Sequence, residues 1–265
     1  MKNDYQYITV EKRNHLIIVS INRPEVMNAL HIPACEELDE VFNEFSEEPD
    51  LWVAIITGEG DRAFCSGNDL KWMTSAGKEA YHKGLAGLKG GWGGITRNFD
   101  CYKPIIAAVN GLALGGGFEL TLACDIIVAV EHASFALPEP KVGMMASAGG
   151  VNRLPRQLPY HQAMGIILTG KRLSAEEACQ YGLVNEIVPE GKLIERAEAW
   201  ACEIMECAPL SVRAAKETII KSLERPYEEL IGKQYPEFKK MMASADYLEG
   251  PKAFSEKRKP NWTGK

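Results

Sequence analysis

The chain has 265 residues, of which 46% are hydrophobic and 25% charged, and its formal net charge is −6. That make-up fits an ordinary globular protein with one large domain, or a core with a small appendage. It carries no broad basic excess, which argues against nucleic acid and membrane surfaces as partners; Lys257-Arg258-Lys259 is a local exception.

The N-terminal stretch, Met1 to Tyr7, lacks the apolar run of a signal peptide. Leu16 to Asn22 is a β-branched run that predicts a strand, stopped by Arg23-Pro24. Between Pro33 and Glu47, the positions Leu38, Val41, Phe42 and Phe45 fall on one face of a helix. Trp52 to Thr57 predicts a continuous apolar strand, closed by Gly58-Glu59-Gly60. Lys83 to Gly94 holds six glycines in twelve residues. That weakens a helix and predicts a loop bordering a pocket, with Trp92 available to a ligand. Pro104 to Val109 and Asp125 to Val130 predict two more buried strands. Short apolar strands separated by helices predict a largely parallel α/β arrangement covered on both faces.

The second half reads as helix. Ser174-Ala-Glu-Glu177 is a capping box and Gly182 marks the end of that helix. Gly191 to Cys207 is a long helical pattern, Leu210 to Leu223 another, and Tyr227 to Ala245 carries one or two more. The predicted division is a core over residues 1–200 and a helical region over 201–265. The helical region is too short for a large core of its own and must pack on the core or on a neighbouring subunit. No run of about 18 apolar residues occurs, so no membrane span is expected.

Two glutamates carry the chemical signal. Glu119 follows a triple glycine in Asn110-Gly-Leu-Ala-Leu-Gly-Gly-Gly-Phe-Glu119, which reads as a strand end, a glycine turn and a helix start. Such a turn aims backbone N–H groups and the positive helix end at a developing negative charge. Glu139 follows a proline in Ser134-Phe-Ala-Leu-Pro-Glu139. Two carboxyls beside an anion hole are the parts needed to move protons around an enolate. In the first turn of its helix, Glu119 is expected to be favoured as the carboxylate by the helix dipole. Taken singly, each glutamate reads as an ordinary helix or loop acid.

Seven cysteines occur with no Cys-x-x-Cys pair, and the five histidines are scattered. Neither a zinc site nor a disulfide framework is expected, and a reducing, cytoplasmic compartment fits. Gly-x4-Gly-Lys-Ser/Thr and Gly-x-Gly-x-x-Gly patterns are both missing, so no phosphate-loop or dinucleotide site is read.

Eight motifs then fall in a familiar order. They are Asn28-Ala-Leu30, Ala63-Phe-Cys-Ser-Gly-Asn-Asp-Leu70, Asn110 to Leu120, Phe135 to Glu139, Ala148-Gly-Gly150 with Arg153-Leu154, Leu168-Thr-Gly170, Leu183-Val-Asn185, and Glu249 to Arg258. Together they resemble the crotonase superfamily, best known through enoyl-CoA hydratases, over about residues 5–262. The phrases Gly-Gly-Gly-Phe-Glu-Leu, Phe-Ala-Leu-Pro-Glu and Leu-Glu-Gly-Pro-Lys-Ala-Phe are most similar to its carnitinyl-CoA dehydratase (crotonobetainyl-CoA hydratase) branch. Asn68 departs from the bulky aromatic of that branch, and Met144-Met-Ala-Ser147 from its Ile-Pro-Asp or Ile-Pro-Gly.

The resemblance implies a crotonase-type spiral of β-β-α repeats with a C-terminal helical trimerisation region, assembled as a homotrimer or homohexamer. It implies an acyl-CoA thioester as substrate, with no cofactor besides the coenzyme A that the substrate carries. It places an oxyanion hole at the backbone N–H groups of Asn68 and Gly116, and the hydratases' two catalytic glutamates at Glu119 and Glu139. It puts CoA contacts at Ala63, Ser66, Asp69, Leu70 and Lys71, and contacts from an adjacent subunit at Phe254 and Lys257. Asp69 also has a plain reading as a helix N-cap after Gly67. The expected reaction is hydration of an enoyl-CoA, with Glu119 activating water and Glu139 delivering the proton to the α-carbon, or the two roles exchanged. Double-bond isomerisation, which needs one carboxylate and no water, and acyl-CoA binding without turnover are the alternatives.

Overall fold

The computed structural model describes residues 4–223 and 225–265; residues 1–3 of the N-terminal stretch lie outside them. The chain opens with β1 (Ile8–Arg13) and β2 (Leu16–Ile21), an antiparallel hairpin in which Ile8 faces Ile21 and Arg13 faces Leu16. Helix α1 (Ile32–Glu47) follows, with His31 accepting from the Ala34 N–H as its cap, and it buries Leu38, Val41, Phe42 and Phe45 as their spacing requires. Next come β3 (Val53–Gly58), β4 (Ala63–Cys65), α2 (Leu70–Ala76) and α3 (Lys78–Gly87). Then β5 (Ile105–Val109), β6 (Leu112–Leu114), α4 (Gly116–Ala123), β7 (Ile126–Val130) and β8 (Ser134–Ala136). The rest is α5 (Gly150–Gln157), α6 (Tyr160–Thr169), β9 (Leu173–Ser174), α7 (Ala175–Gln180) and β10 (Glu186–Val188). Four helices close the chain: α8 (Leu193–Met205), α9 (Pro209–Ser222), α10 (Pro236–Ala243) and α11 (Asp246–Ser255).

The strands form two sheets, in the orders β1-β2-β3-β5-β7-β10 and β4-β6-β8-β9. All pairings from β2 to β10 in the first sheet are parallel, as are β4–β6 and β6–β8 in the second. The chain therefore repeats one move. A long apolar strand enters the first sheet, a three-residue strand enters the second, and helices follow: β3-β4-α2, β5-β6-α4, β7-β8-α5. This is the expected spiral of β-β-α turns. Each repeat adds one strand to each sheet in parallel register, so equivalent strand-to-helix turns stack beside one another. Phe118 on α4 packs on Phe135 of β8, with ring centroids 5.3 Å apart. That contact holds the first helical turn of one repeat against the strand of the next.

One expectation needs correction. The glycine-rich segment is not a loop throughout, because α3 runs to Gly87. Gly84 explains it: a Cβ there would meet Ile32 at 2.5 Å. The glycine lets α3 lie close against α1, and that proximity outweighs its poor helix propensity. The Ser174 capping box is present in both arms. Helix α9 is tied to the core by Lys216, whose ammonium donates to the Lys103 carbonyl at 2.8 Å and to Asp125 at 2.6 Å. The C-terminal helices leave large apolar side chains in the open, Leu248 at 72% exposure and Phe254 at 87%.

Candidate active site

Three adjacent turns build the site. The first is Gly67-Asn68, between β4 and α2. Leu30 N–H donates to the Gly67 carbonyl at 2.8 Å and Asp69 N–H to the Leu30 carbonyl at 2.9 Å, a parallel bridge that uses one edge of the chain. The Asn68 amide lies on the other edge and donates to no protein acceptor among the described residues. The second turn is Gly115-Gly116-Gly117 at the start of α4. A Cβ on Gly117 would sit 1.9 Å from the Cys65 carbonyl, so only glycine lets α4 begin this close to β4. The Gly116 amide, at the first helical position, also has no protein acceptor among the described residues. The ring of Trp92 covers Gly116 so closely that a Cβ would fall 2.4 Å from it. Gly67 abuts the same turn, since a Cβ there would lie 3.2 Å from the Gly116 nitrogen. Two unspent N–H groups therefore sit on neighbouring turns, as an oxyanion hole requires.

Glu119 is one turn into α4 and only 3% exposed. Its Oε1 accepts from the Gly150 N–H at 2.7 Å, at the N-terminus of α5. Burial pushes its carboxyl up to about 7; the Gly150 amide opposes this, Glu139 adds to it, and the Ala148 amide and Arg153 oppose it. The expected dipole preference for the carboxylate is thus outweighed by desolvation. Glu139 begins the short 3-10 turn Glu139–Val142 after Pro138. Its carboxyl lies over Gly115, where a Cβ would come within 3.0 Å of Oε1. Its Oε2 is buried without a hydrogen-bond partner among the described residues, and burial raises its pKa. Asn68, Gly116, Glu119 and Glu139 all line one cavity, walled by Leu70, Tyr81, Trp92, Met144 and Met145.

A stability consequence follows from Glu119. Its pKa is 4.5 in the unfolded chain and about 7 in the folded one, so the folded state favours the protonated form. The associated stability is fully present below the unfolded value and lost as pH rises through about 7. A shift from 4.5 to about 7 corresponds to about 3 kcal/mol at most. Glu119→Gln is expected to raise the melting temperature at pH 8 by several degrees, with a smaller gain at pH 5, as read by calorimetry at both pH values.

The sequence profile described as enoyl-CoA hydratase/isomerase matches residues 11–265. The chain belongs to this family. It is 42% identical to the carnitinyl-CoA dehydratase of Proteus mirabilis (strain HI4320) over 267 residues, covering 98% of this chain and 99% of that protein. It is 43% identical to the carnitinyl-CoA dehydratase of Salmonella typhi over 257 residues, covering 94% and 95%. The crystal structure of an enoyl-CoA hydratase from Mycobacterium tuberculosis H37Rv superposes with a TM-score of 0.89 at 38% identity, covering 98% of this chain and 99% of that one. The spiral described above is the crotonase fold of these relatives.

For this member of the enoyl-CoA hydratase/isomerase family, the cavity gathers Ser66 and Leu70 beside the four central groups. The other residues expected at the CoA lie elsewhere in the chain. Ala63 is buried in β4, its carbonyl accepting from the Asn28 amide at 2.7 Å. Asp69 caps α2 by accepting from the Trp72 N–H at 3.0 Å and pairs with Arg23 at 3.1 Å. Lys71 is exposed on α2, outside the cavity lining. Phe254 is in the last turn of α11 and Lys257 follows the helix with φ 55, both exposed and outside that lining. Sequence reasoning did not single out Tyr81, and it quoted Gly150 and Arg153 only within a family motif, with no role for the Gly150 amide or the Arg153 guanidinium. The Gly149-Gly150 pair before α5 was the available signal, since it repeats the glycine-then-helix pattern that flagged Glu119. Among the described residues, no helix is long and apolar enough to cross a membrane.

Proposed function

We propose that this protein is an enoyl-CoA hydratase. It adds water across the α,β double bond of an acyl-CoA thioester and, in reverse, dehydrates the 3-hydroxyacyl-CoA. One observation carries the reading: two unspent backbone amides, the buried carboxyl of Glu119 and the half-buried carboxyl of Glu139 line a single cavity. The thioester carbonyl accepts from the amides of Asn68 and Gly116. Water, held between the carboxyls, gives a proton to the Glu119 carboxylate while its oxygen bonds to the β-carbon. The π electrons move onto the thioester oxygen as an enolate, which the two amides stabilise. The enolate then collapses and its α-carbon takes a proton from protonated Glu139. Glu119 ends protonated and Glu139 ionised, and proton exchange with solvent restores both. Burial raises both carboxyls, Glu119 to about 7, so the pair can hold one proton until this step. The Gly150 amide suits a Glu119 that must be an anion when water arrives.

Coenzyme A enters as part of the substrate, and the steps above use only side chains and amides of the chain. In this reading Ser66 and Leu70 form the CoA side of the cavity, and Lys71 and backbone atoms near Ala63 and Asp69 meet the CoA beyond the cavity lining. The division into a core over 1–200 and a helical region over 201–265 is kept, with the latter making a homotrimer or homohexamer. The exposed apolar side chains of the last helices support it, and Phe254 and Lys257 reach the neighbouring subunit's CoA. The relatives' name brings carnitinyl-CoA, and with it the dehydration product crotonobetainyl-CoA, into any substrate panel beside crotonyl-CoA.

The test is the loss of conjugated-thioester absorbance when crotonyl-CoA is added, followed as a function of pH. The active form carries one ionised and one protonated carboxyl, so kcat/KM is expected to follow a bell whose two limbs are set by the raised pKa values of the pair. A profile flat from pH 5 to 9 would count against both roles.

A further inference from the structure

We propose that Arg153 is a positioning residue for Glu119: it clamps together the two loops that flank the carboxylate and sets its charge. This rests on the hydratase reading above. From α5, its Nη2 donates to the Thr96 carbonyl at 2.8 Å and its Nη1 to the Ala148 carbonyl at 3.4 Å. Thr96 belongs to the loop that lays Trp92 over Gly116, and its hydroxyl donates to the Trp92 carbonyl at 2.9 Å. Ala148 belongs to the loop whose Ala148 and Gly150 amides hold Glu119. One guanidinium therefore joins the wall behind the oxyanion glycine to the wall behind the base. Gly149, with φ 118, makes the contact possible, because a Cβ there would fall 1.9 Å from Nη1. A planar fork can reach two carbonyls on two loops at once, which a lysine ammonium cannot do in the same plane.

The charge is as pointed as the geometry. Both guanidinium hydrogen bonds go to main-chain carbonyls, and no carboxylate pairs with it among the described residues. Burial disfavours its cation, with Glu119 and Cys124 opposing that effect, and the Cys124 thiol is itself pushed up by burial and so neutral. Glu119 in turn is faced by Glu139, Tyr81 and Arg153. Glu139 disfavours its anion, and Tyr81 is a neutral phenol pushed up to about 12 by burial. Arg153 is the cation on that carboxylate. A half-buried cation with no carboxylate hydrogen-bonded to it is costly to fold, so its retention beside a group that must turn anionic has a functional account.

The experiment is the pH profile of crotonyl-CoA hydration for the wild type, Arg153→Gln, Arg153→Lys and Glu119→Gln. Removing an opposite charge raises a carboxyl pKa. R153Q is therefore expected to shift the limb set by Glu119 upward, by up to about one unit. Its kcat/KM falls by up to about tenfold on the acid side of that limb, and the deficit shrinks as pH rises. R153K keeps the charge and loses the fork, so its limb stays near the wild-type position while kcat/KM drops at every pH. Should R153Q fail to fold by circular dichroism, Gly149→Ala, which displaces Nη1, carries the same expected shift. A lowered but unshifted limb in R153Q or Gly149→Ala means a purely structural arginine and overturns the proposal. A limb that moves as far in R153K as in R153Q overturns the charge role. If Glu119→Gln hydrates normally, the hydratase reading itself fails; if it is inactive while R153Q leaves the limb in place, only the role of Arg153 fails.

Discussion

Glu119→Gln and Glu139→Gln will each slow hydration of crotonyl-CoA by about 10²–10⁴-fold, the range for a positioned general acid or base. The geometry makes the glutamine a clean probe at 119. Its amide oxygen can still accept from the Gly150 N–H, now at 2.7 Å from Oε1, so the α4–α5 contact survives and only proton transfer is lost. At 139 the buried, unpartnered Oε2 gives the new amide nothing to lose, so the fold should persist there as well. CoA binding is expected to remain near wild type in both, because among the described residues neither carboxyl hydrogen-bonds to a residue expected at the CoA. The double substitution should cost far less than the product of the singles, since the two groups act on one water. Stopped-flow absorbance together with calorimetric CoA titration measures all of this. Near-normal turnover in both single variants would leave the carboxyl pair without a catalytic role.

Gly116→Ala is the second large effect. A methyl there meets Trp92 at 2.4 Å from Cη2 and 2.7 Å from Cζ3, and the indole is itself buried. The turn must shift, and with it an amide that no side-chain deletion can reach. Loss of one oxyanion donor costs about 10²–10³ in kcat. The loss should fall on kcat more than on KM, since the ground-state carbonyl gains less from the donor than the enolate. Shrinking Trp92 to leucine in the same chain should return part of the activity by making room. Gly165→Ala is the control: it sits in α6 with nothing within 4 Å of its Cβ position, and the change should leave turnover as it is. Equal losses in Gly116→Ala with and without the Trp92 change would mean that the indole contact is not what misplaces the amide.

Much of this site could be read before any coordinates, but unevenly. Helix α1 was legible because Leu38, Val41, Phe42 and Phe45 keep helical period and all end up buried. The parallel sheet was legible because its strands are all-apolar runs. The partner strands β4, β6 and β8 were harder. At three residues each they carry no periodicity, and only the repeat of the spiral places them. Strand β1 buries Ile8 and half-buries Val10, but Thr9, Glu11, Lys12 and Arg13 are all exposed, so its composition hides it. The two glutamates were legible by register with a family pattern. Their electrostatics were not, because the desolvation of Glu119 depends on what closes over it from α5 and the Trp92 loop, far away in sequence. Arg153 was hidden for the same reason: its partners are carbonyls of Thr96 and Ala148, and carbonyls leave no mark in a sequence.

The most direct test is hydration of crotonyl-CoA in H₂¹⁸O and, separately, in D₂O, with the product read by mass spectrometry. Two amides polarising the thioester and two carboxyls sharing a water predict one ¹⁸O at the β-carbon and one deuterium at the α-carbon of 3-hydroxybutyryl-CoA, both lost in Glu119→Gln. Deuterium exchange or a migrated double bond without ¹⁸O in any product would contradict the account, because a site that only shuttles protons has no use for the second carboxyl.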